Sequence, residues 1–256
     1  MHLPIFAALP SLQLLAFTAV ALLVAYTIFG VTGFGSALIA APVLAQIMPV
    51  ASIVPLLAIL DCAAALTNGV RLGGKVGRKE LALLFPAMCA GSLIGAALLF
   101  HFASRSMMIA LGVFIIAYVA WSLLAPKATS LIGQFWAIPI GTIGGIFSGM
   151  FGMGGAIYSM YISRRFEDKN AIRATQSALI GLSTFVRLII FTVAGSYSDW
   201  QIPLLALALM PIMFLGTFMG HNLTLRMSRE RFFQFLYLLL IASAVALIAR
   251  AALGGN

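Results

Sequence analysis

Charge is what this chain has least of. Of its 256 residues, 15 are Lys or Arg and 6 are Asp or Glu, so 8% are charged, against roughly 25% in a soluble domain. With 62% hydrophobic residues, the composition excludes an ordinary soluble enzyme and predicts an all-α integral membrane protein in the lipid bilayer. Apolar and polar residues do not alternate, which excludes a transmembrane β-barrel. Cysteine is scarce too. Cys62 and Cys89 both fall inside apolar runs and read as small buried hydrophobes, not as a disulfide or metal site. Three histidines without ligand spacing, and no phosphate-binding loop, leave no metal and no cofactor to expect. The start, Met1-His2-Leu3-Pro4, lacks the basic region of a signal peptide, so the first apolar segment is expected to be retained.

The net charge of +9 does not point to nucleic acid. The basic residues lie in short loops between apolar runs, where membrane orientation explains them.

What the chain does have is a duplicated glycine break. Gly30, Gly33, Gly35 and Ala37 align with Gly149, Gly152, Gly154 and Ala156, each copy following a long apolar run and preceding a short one. Glycine tolerates positive φ and leaves a helix readily. The predicted organisation is two repeats. Residues 1–128 hold a broken hairpin over 11–48 and spans at 51–70, 81–100 and 105–124. Residues 129–256 hold a hairpin over 132–163 and spans at 171–195, 201–221 and 232–250.

Basic residues decide the topology. If every long run crossed once, giving eight crossings, eight Lys/Arg would face out and six in. If each broken element instead re-enters and returns, loops 71–80, 164–173 and 226–231 and Lys127 share the cytoplasmic side. Twelve Lys/Arg then lie inside, Arg105 and Arg250 outside, and Arg187 in the membrane. The positive-inside bias selects the second arrangement and makes the repeats inverted. The first hairpin carries no charge, so its path rests on symmetry with the second.

Broken helices in matched positions of two repeats point to a transporter's binding site. The short arms begin at Ser36 and Gly155, and their free N–H groups and positive dipole ends would face one cavity near the midplane, a place for an anion. Gly33, Gly35, Gly152, Gly154 and Gly155 would let an oxyanion approach the backbone. The alternative is that these glycines serve only tight helix packing. Arg187, the one mid-span cation, is the candidate fixed charge for the anion, with a structural ion pair to Asp61, or snorkelling toward the end of the span near Gly195, as its alternatives. Asp61, the one mid-span carboxylate, is the coupling candidate, with a proton as the coupling ion. Thr175, Gln176, Ser36, Thr32 and Asn68 are candidate neutral donors. His101 and His221 fall at span ends. Catalytic residues are not expected. Gly145-Ile146-Phe147-Ser148-Gly149 matches a nucleophile turn only loosely, so an intramembrane serine hydrolase is the weakest reading. An anion channel is the main alternative to a carrier.

Three stretches carry a family resemblance: the second break from Phe147 to Gly155, the turn Gly195-Ser196-Tyr197-Ser198-Asp199-Trp200 with its Gly-x-x-x-Asp-Trp pattern, and Ala171-Ile172-Arg173-Ala174-Thr175 with its Arg-Ala-Thr entry to a span. Over essentially its whole length the chain resembles the TauE/SafE sulfite exporter family, also called TSUP. The resemblance implies transport across the bacterial inner membrane of a small sulfur-containing anion, such as sulfite or an organosulfonate like sulfoacetate, usually outward. It leaves a homodimer open.

Overall fold

A computed structural model describes residues 12–69, 76–124, 132–223 and 229–253. The expectations for Arg71, Lys75, Lys127 and Arg226, and for the side chains of Asn68 and Arg173, lie outside the described residues. Among the described residues ten α-helices follow one another: α1 Leu12–Thr32, α2 Ser36–Leu44, α3 Val50–Gly69, α4 Arg78–His101, α5 Ser104–Leu124, α6 Ala137–Phe151, α7 Gly154–Ile162, α8 Lys169–Val193, α9 Gln201–Leu223 and α10 Arg229–Ala252. Among the described residues there is no strand, and five helices are long and apolar enough to cross a bilayer, within α3, α4, α5, α8 and α9. At nine residues, α2 and α7 reach only about 13 Å and cannot cross a core of about 30 Å.

Glycine contacts fix which helices run alongside which. A Cβ at Gly91 would strike the Thr142 carbonyl, one at Gly145 the Met88 carbonyl and one at Gly149 the Ser92 carbonyl. Later residues of α6 therefore meet later residues of α4, and the two helices run parallel, backbone against backbone. The same relation joins α1 to α9: Gly216 faces the Leu23 carbonyl, and Gly220 faces Thr27 and Gly30. Small residues allow this closeness in a membrane, where dispersion rather than water expulsion holds helices together. Gly30 and Gly149 thus remain helical and serve packing. The breaks themselves fall at Gly33 and Gly152.

The other long helices pair antiparallel. Gly181 of α8 faces Ala65 of α3, and beyond its end Tyr197 donates to the Pro55 carbonyl at 3.0 Å. Gly112 of α5 meets Ile248 of α10, while Ser122 and Tyr237 share a 2.6 Å hydroxyl contact.

Each short arm returns to the face its long arm came from. Ile132, ahead of α6, donates its N–H to the Arg164 carbonyl after α7 at 3.2 Å. On that same face Glu80 takes hydrogen bonds from Arg165 (2.7 Å) and Tyr161 (2.5 Å), and the Gly77 N–H is held by Thr175 at 2.9 Å. Leu84, Met88, Tyr158, Tyr161 and Leu179 pack beneath as a small separate core. On the opposite face Arg250, near the end of α10, donates to the Ala45 and Gln46 carbonyls and holds the exit of α2.

The outer surface is apolar. Leu93, Leu207 and Phe218 are more than half exposed, a liability in water and the normal state against lipid. All three tryptophans, Trp121, Trp136 and Trp200, are exposed at helix ends, where indole rings favour the membrane–water interface.

Candidate functional site

Both breaks use the same device. Gly33 (φ +79°) and Gly152 (φ +77°) take the left-handed conformation after α1 and α6. Their N–H groups close the helix ends on the Phe29 carbonyl at 2.7 Å and the Ser148 carbonyl at 2.8 Å. A residue with a Cβ pays for that conformation, so glycine is the natural choice. The copies then diverge: Gly35 (φ +93°) precedes α2, whereas Met153 (φ −101°) precedes α7.

The two breaks touch. A Cβ at Gly155 would lie 3.1 Å from the Phe34 Cβ, and one at Gly152 would lie 3.0 Å from the Ala37 Cβ. The first turns of α2 and α7 therefore face a shared cavity. Its volume is about 20 Å³, room for about one water.

Polar side chains converge there. Asp61 of α3 is 3% exposed and Arg187 of α8 is 2% exposed. Arg187 Nη2 donates to Asp61 Oδ2 at 3.1 Å, Ser36 Oγ to Oδ1 at 2.7 Å, and Tyr26 Oη to Oδ1 at 2.9 Å. The carboxylate is thus held by three donors. The guanidinium is not matched: its Nε and Nη1 are buried without a hydrogen-bond partner. Nη1 stands where the Cβ of a residue 152 other than glycine would be, 2.5 Å away. Ser148 of α6 and Ser183 of α8, also in the lining, bond each other at 2.8 Å.

Of the residues singled out in the sequence, Gly35, Ser36, Asp61, Gly152, Gly155 and Arg187 line this cavity. Gly154 lies just behind it, where a Cβ would meet the Gly144 carbonyl at 2.6 Å. Gly33 sits beside Ser177. The structure does not bring Thr175 and Gln176 to the lining: Thr175 is spent on Gly77, and Gln176 is half-buried on α8 with its Nε2 unpartnered. Thr32 closes its own break by accepting the Phe34 N–H at 3.2 Å. His101 and His221 are exposed. Ser148 has a serine for its partner, not the histidine a hydrolase would need.

Three polar lining or supporting residues escaped the sequence reading, Tyr26, Ser183 and Thr184, and Ser148 entered it only as a loose nucleophile match. Ser183 and Thr184 precede Arg187 by four and three residues, a spacing that puts all three on one helix face. Nothing in the sequence ties Tyr26 to Asp61.

The model of the family described as "Sulfite exporter TauE/SafE" matches residues 17–247. The chain belongs to the TauE/SafE family. It is thus a membrane transporter with several spans. It is also 26% identical over 202 residues to the "Probable inner membrane transporter protein TsaS" of Comamonas testosteroni, covering 75% of this chain and 81% of that protein. No solved structure matches the chain.

Proposed function

We propose that this TauE/SafE family member is a secondary carrier of the bacterial inner membrane that exports a small sulfur-containing anion, sulfite or an organosulfonate such as sulfoacetate. One observation carries the reading. Arg187 keeps two nitrogens buried and unpartnered in a cavity faced by two helix N-termini. A buried donor left unsatisfied costs roughly 1–3 kcal/mol, more when charged. An anion's oxygens would remove that cost while the dipoles of α2 and α7 favour its charge.

The running directions of the helices support an inverted-repeat carrier. Under exchange of the halves, α3 with α8 and α5 with α10 map onto themselves, and α4 with α6 maps onto α9 with α1. With the Glu80 face in the cytoplasm, the first hairpin dips from outside and the second from inside, and the site lies where they meet. A cavity of about 20 Å³ is too small for a four-atom oxyanion, so loading requires the two breaks to part. That favours alternating access over an anion channel. Asp61 would supply coupling: an arriving anion competes with it for Arg187, and the displaced carboxylate gains a proton.

The test is flux in proteoliposomes with sulfite, sulfoacetate, taurine, sulfate and thiosulfate. Saturable uptake and counterflow of one sulfur anion is the expected result. Flux proportional to gradient, without counterflow, would make the protein a channel.

A further inference from the structure

We infer that the Ser148–Ser183 hydroxyl pair reads the oxygen atoms of the anion and gives the cavity its preference for oxyanions over halides; this rests on the anion-carrier reading above. The two serines are 2% and 4% exposed and come from different elements, α6 just before its break and α8 one turn before Arg187. Their mutual bond of 2.8 Å consumes one hydroxyl proton. The other proton is not spent on the helix backbone, in contrast to neighbouring Thr184, whose hydroxyl donates to the Ile180 carbonyl at 2.8 Å. Tyr158 stands next to Ser183 with its own buried hydroxyl outside ordinary hydrogen-bond geometry. Beyond its mutual bond the pair keeps a second O–H, which can turn toward the cavity or to the neighbouring Tyr158 oxygen.

Arg187 and both serines line the same cavity, with Ser183 one turn before Arg187 on α8 and Ser148 on α6. A monatomic anion is satisfied by charge and fits beside the guanidinium alone. An anion of the XO₃ type offers several oxygens with directed lone pairs, and it can occupy the guanidinium fork and take the serine proton at once. Arg187 then supplies affinity for charge, and the serines supply discrimination.

Methanesulfonate and chloride separate these roles, since both carry one negative charge and only the first has oxygens. Binding of each is titrated by calorimetry on purified protein, unmodified and with the double changes Ser148→Ala, Ser183→Ala or Ser148→Ala, Ser183→Thr, with thermal stability measured on the same samples. A single alanine would still leave the other hydroxyl free, so both are removed together. The double alanine variant is expected to weaken methanesulfonate about ten-fold or more, the usual effect of losing a hydrogen bond to a charged group. Chloride should change less than about two-fold, and the threonine-containing variant should keep the preference because one hydroxyl remains. Ser148→Ala, Ser183→Cys, which keeps the volume with only a weak donor, serves if the double alanine variant does not fold. A methanesulfonate-to-chloride ratio unchanged in a folded variant lacking both hydroxyls overturns the inference and leaves the pair a structural tie between α6 and α8. Binding of neither anion by the unmodified protein overturns the anion-carrier reading and this one with it.

Discussion

Asp61 and Arg187 meet through a single nitrogen. Nη2 reaches Oδ2 at 3.1 Å, Tyr26 and Ser36 complete the carboxylate, and Nε and Nη1 of the arginine are left over. A pair evolved only to neutralise itself would use the two-pronged geometry that arginine offers a carboxylate. Here the acid is satisfied and the base is not, and Arg187 lines the cavity.

Arg187→Ala is accordingly expected to damage two things. It removes the anion's charge partner, and it strands Asp61, which costs about 3–5 kcal/mol for a broken buried pair. The Asp61→Asn, Arg187→Gln double variant should regain much of that stability, since no unpaired charge remains, and still fail to bind sulfite. Thermal unfolding and calorimetry on the same samples check this. Sulfite affinity retained in the double variant would make the pair structural.

Asp61→Asn alone should disconnect transport from protons. Asparagine cannot titrate, although its amide oxygen can still accept from Tyr26 and Ser36. Sulfite flux in proteoliposomes should respond to an imposed pH gradient in the unmodified protein and lose that response in the variant. An intact response would move the coupling group elsewhere.

Much of this was legible beforehand, because breaking a helix takes glycine and glycine leaves a mark. The duplicated breaks and the short arms α2 and α7 fell where the pattern put them. Division of labour among the glycines was not legible. Gly30 and Gly149 pack against α9 and α4 while Gly33 and Gly152 take positive φ, and a one-letter code cannot tell a close neighbour from a left-handed turn. Thr175 misled for a similar reason: a hydroxyl in a span reads as a cavity donor until a distant backbone N–H, that of Gly77, is seen to need it. Tyr26 was missed because its partner lies 35 residues away.

The glycines should respond to substitution by role. Alanine at Gly154 meets the Gly144 carbonyl at 2.6 Å and Ser148 Cβ at 2.7 Å, so folded protein should be lost. Alanine at Gly155 meets only Phe34 and Ile180 side chains, at 3.1 and 3.4 Å, and should fold. Leucine there should fill the cavity and abolish sulfite binding in protein that still folds. Size-exclusion yield and calorimetry separate the cases. A stable Gly155→Leu variant with unmodified affinity would displace the site from the breaks.

Orientation is open to chemistry from outside the cell. With Cys62 and Cys89 replaced by alanine, single cysteines at Lys79 and Arg164 should resist an impermeant thiol reagent in intact cells, and one at Arg105 should react. Both protected positions belong to the face joined by Glu80 and Arg165. Labelling at Arg164 with protection at Lys79 would break the shared face and the inverted arrangement with it.

Alternating access makes a sharper demand. If loading needs the breaks to part, a covalent tie between them must stop transport, while a tie of similar span within a rigid unit must not. Phe34 and Gly155 supply the first, with Cβ positions 3.1 Å apart. Ala87 and Gly141 supply the second, across the parallel α4–α6 contact, with Cβ positions 3.0 Å apart. Both are slightly closer than the roughly 3.5–4.5 Å of a relaxed disulfide, so each requires only a small adjustment. Cysteine pairs at these positions, in the background lacking Cys62 and Cys89, are reconstituted and assayed for sulfite counterflow, first reduced and then oxidised. Oxidation should abolish counterflow in the Phe34→Cys, Gly155→Cys protein, and reductant should restore the rate of its own reduced form. Oxidation should leave the Ala87→Cys, Gly141→Cys protein transporting, because α6 and α4 are locked by glycine contacts and move together. Full counterflow through a completely cross-linked 34–155 protein would mean that the breaks never separate, and the anion would have to pass by another route.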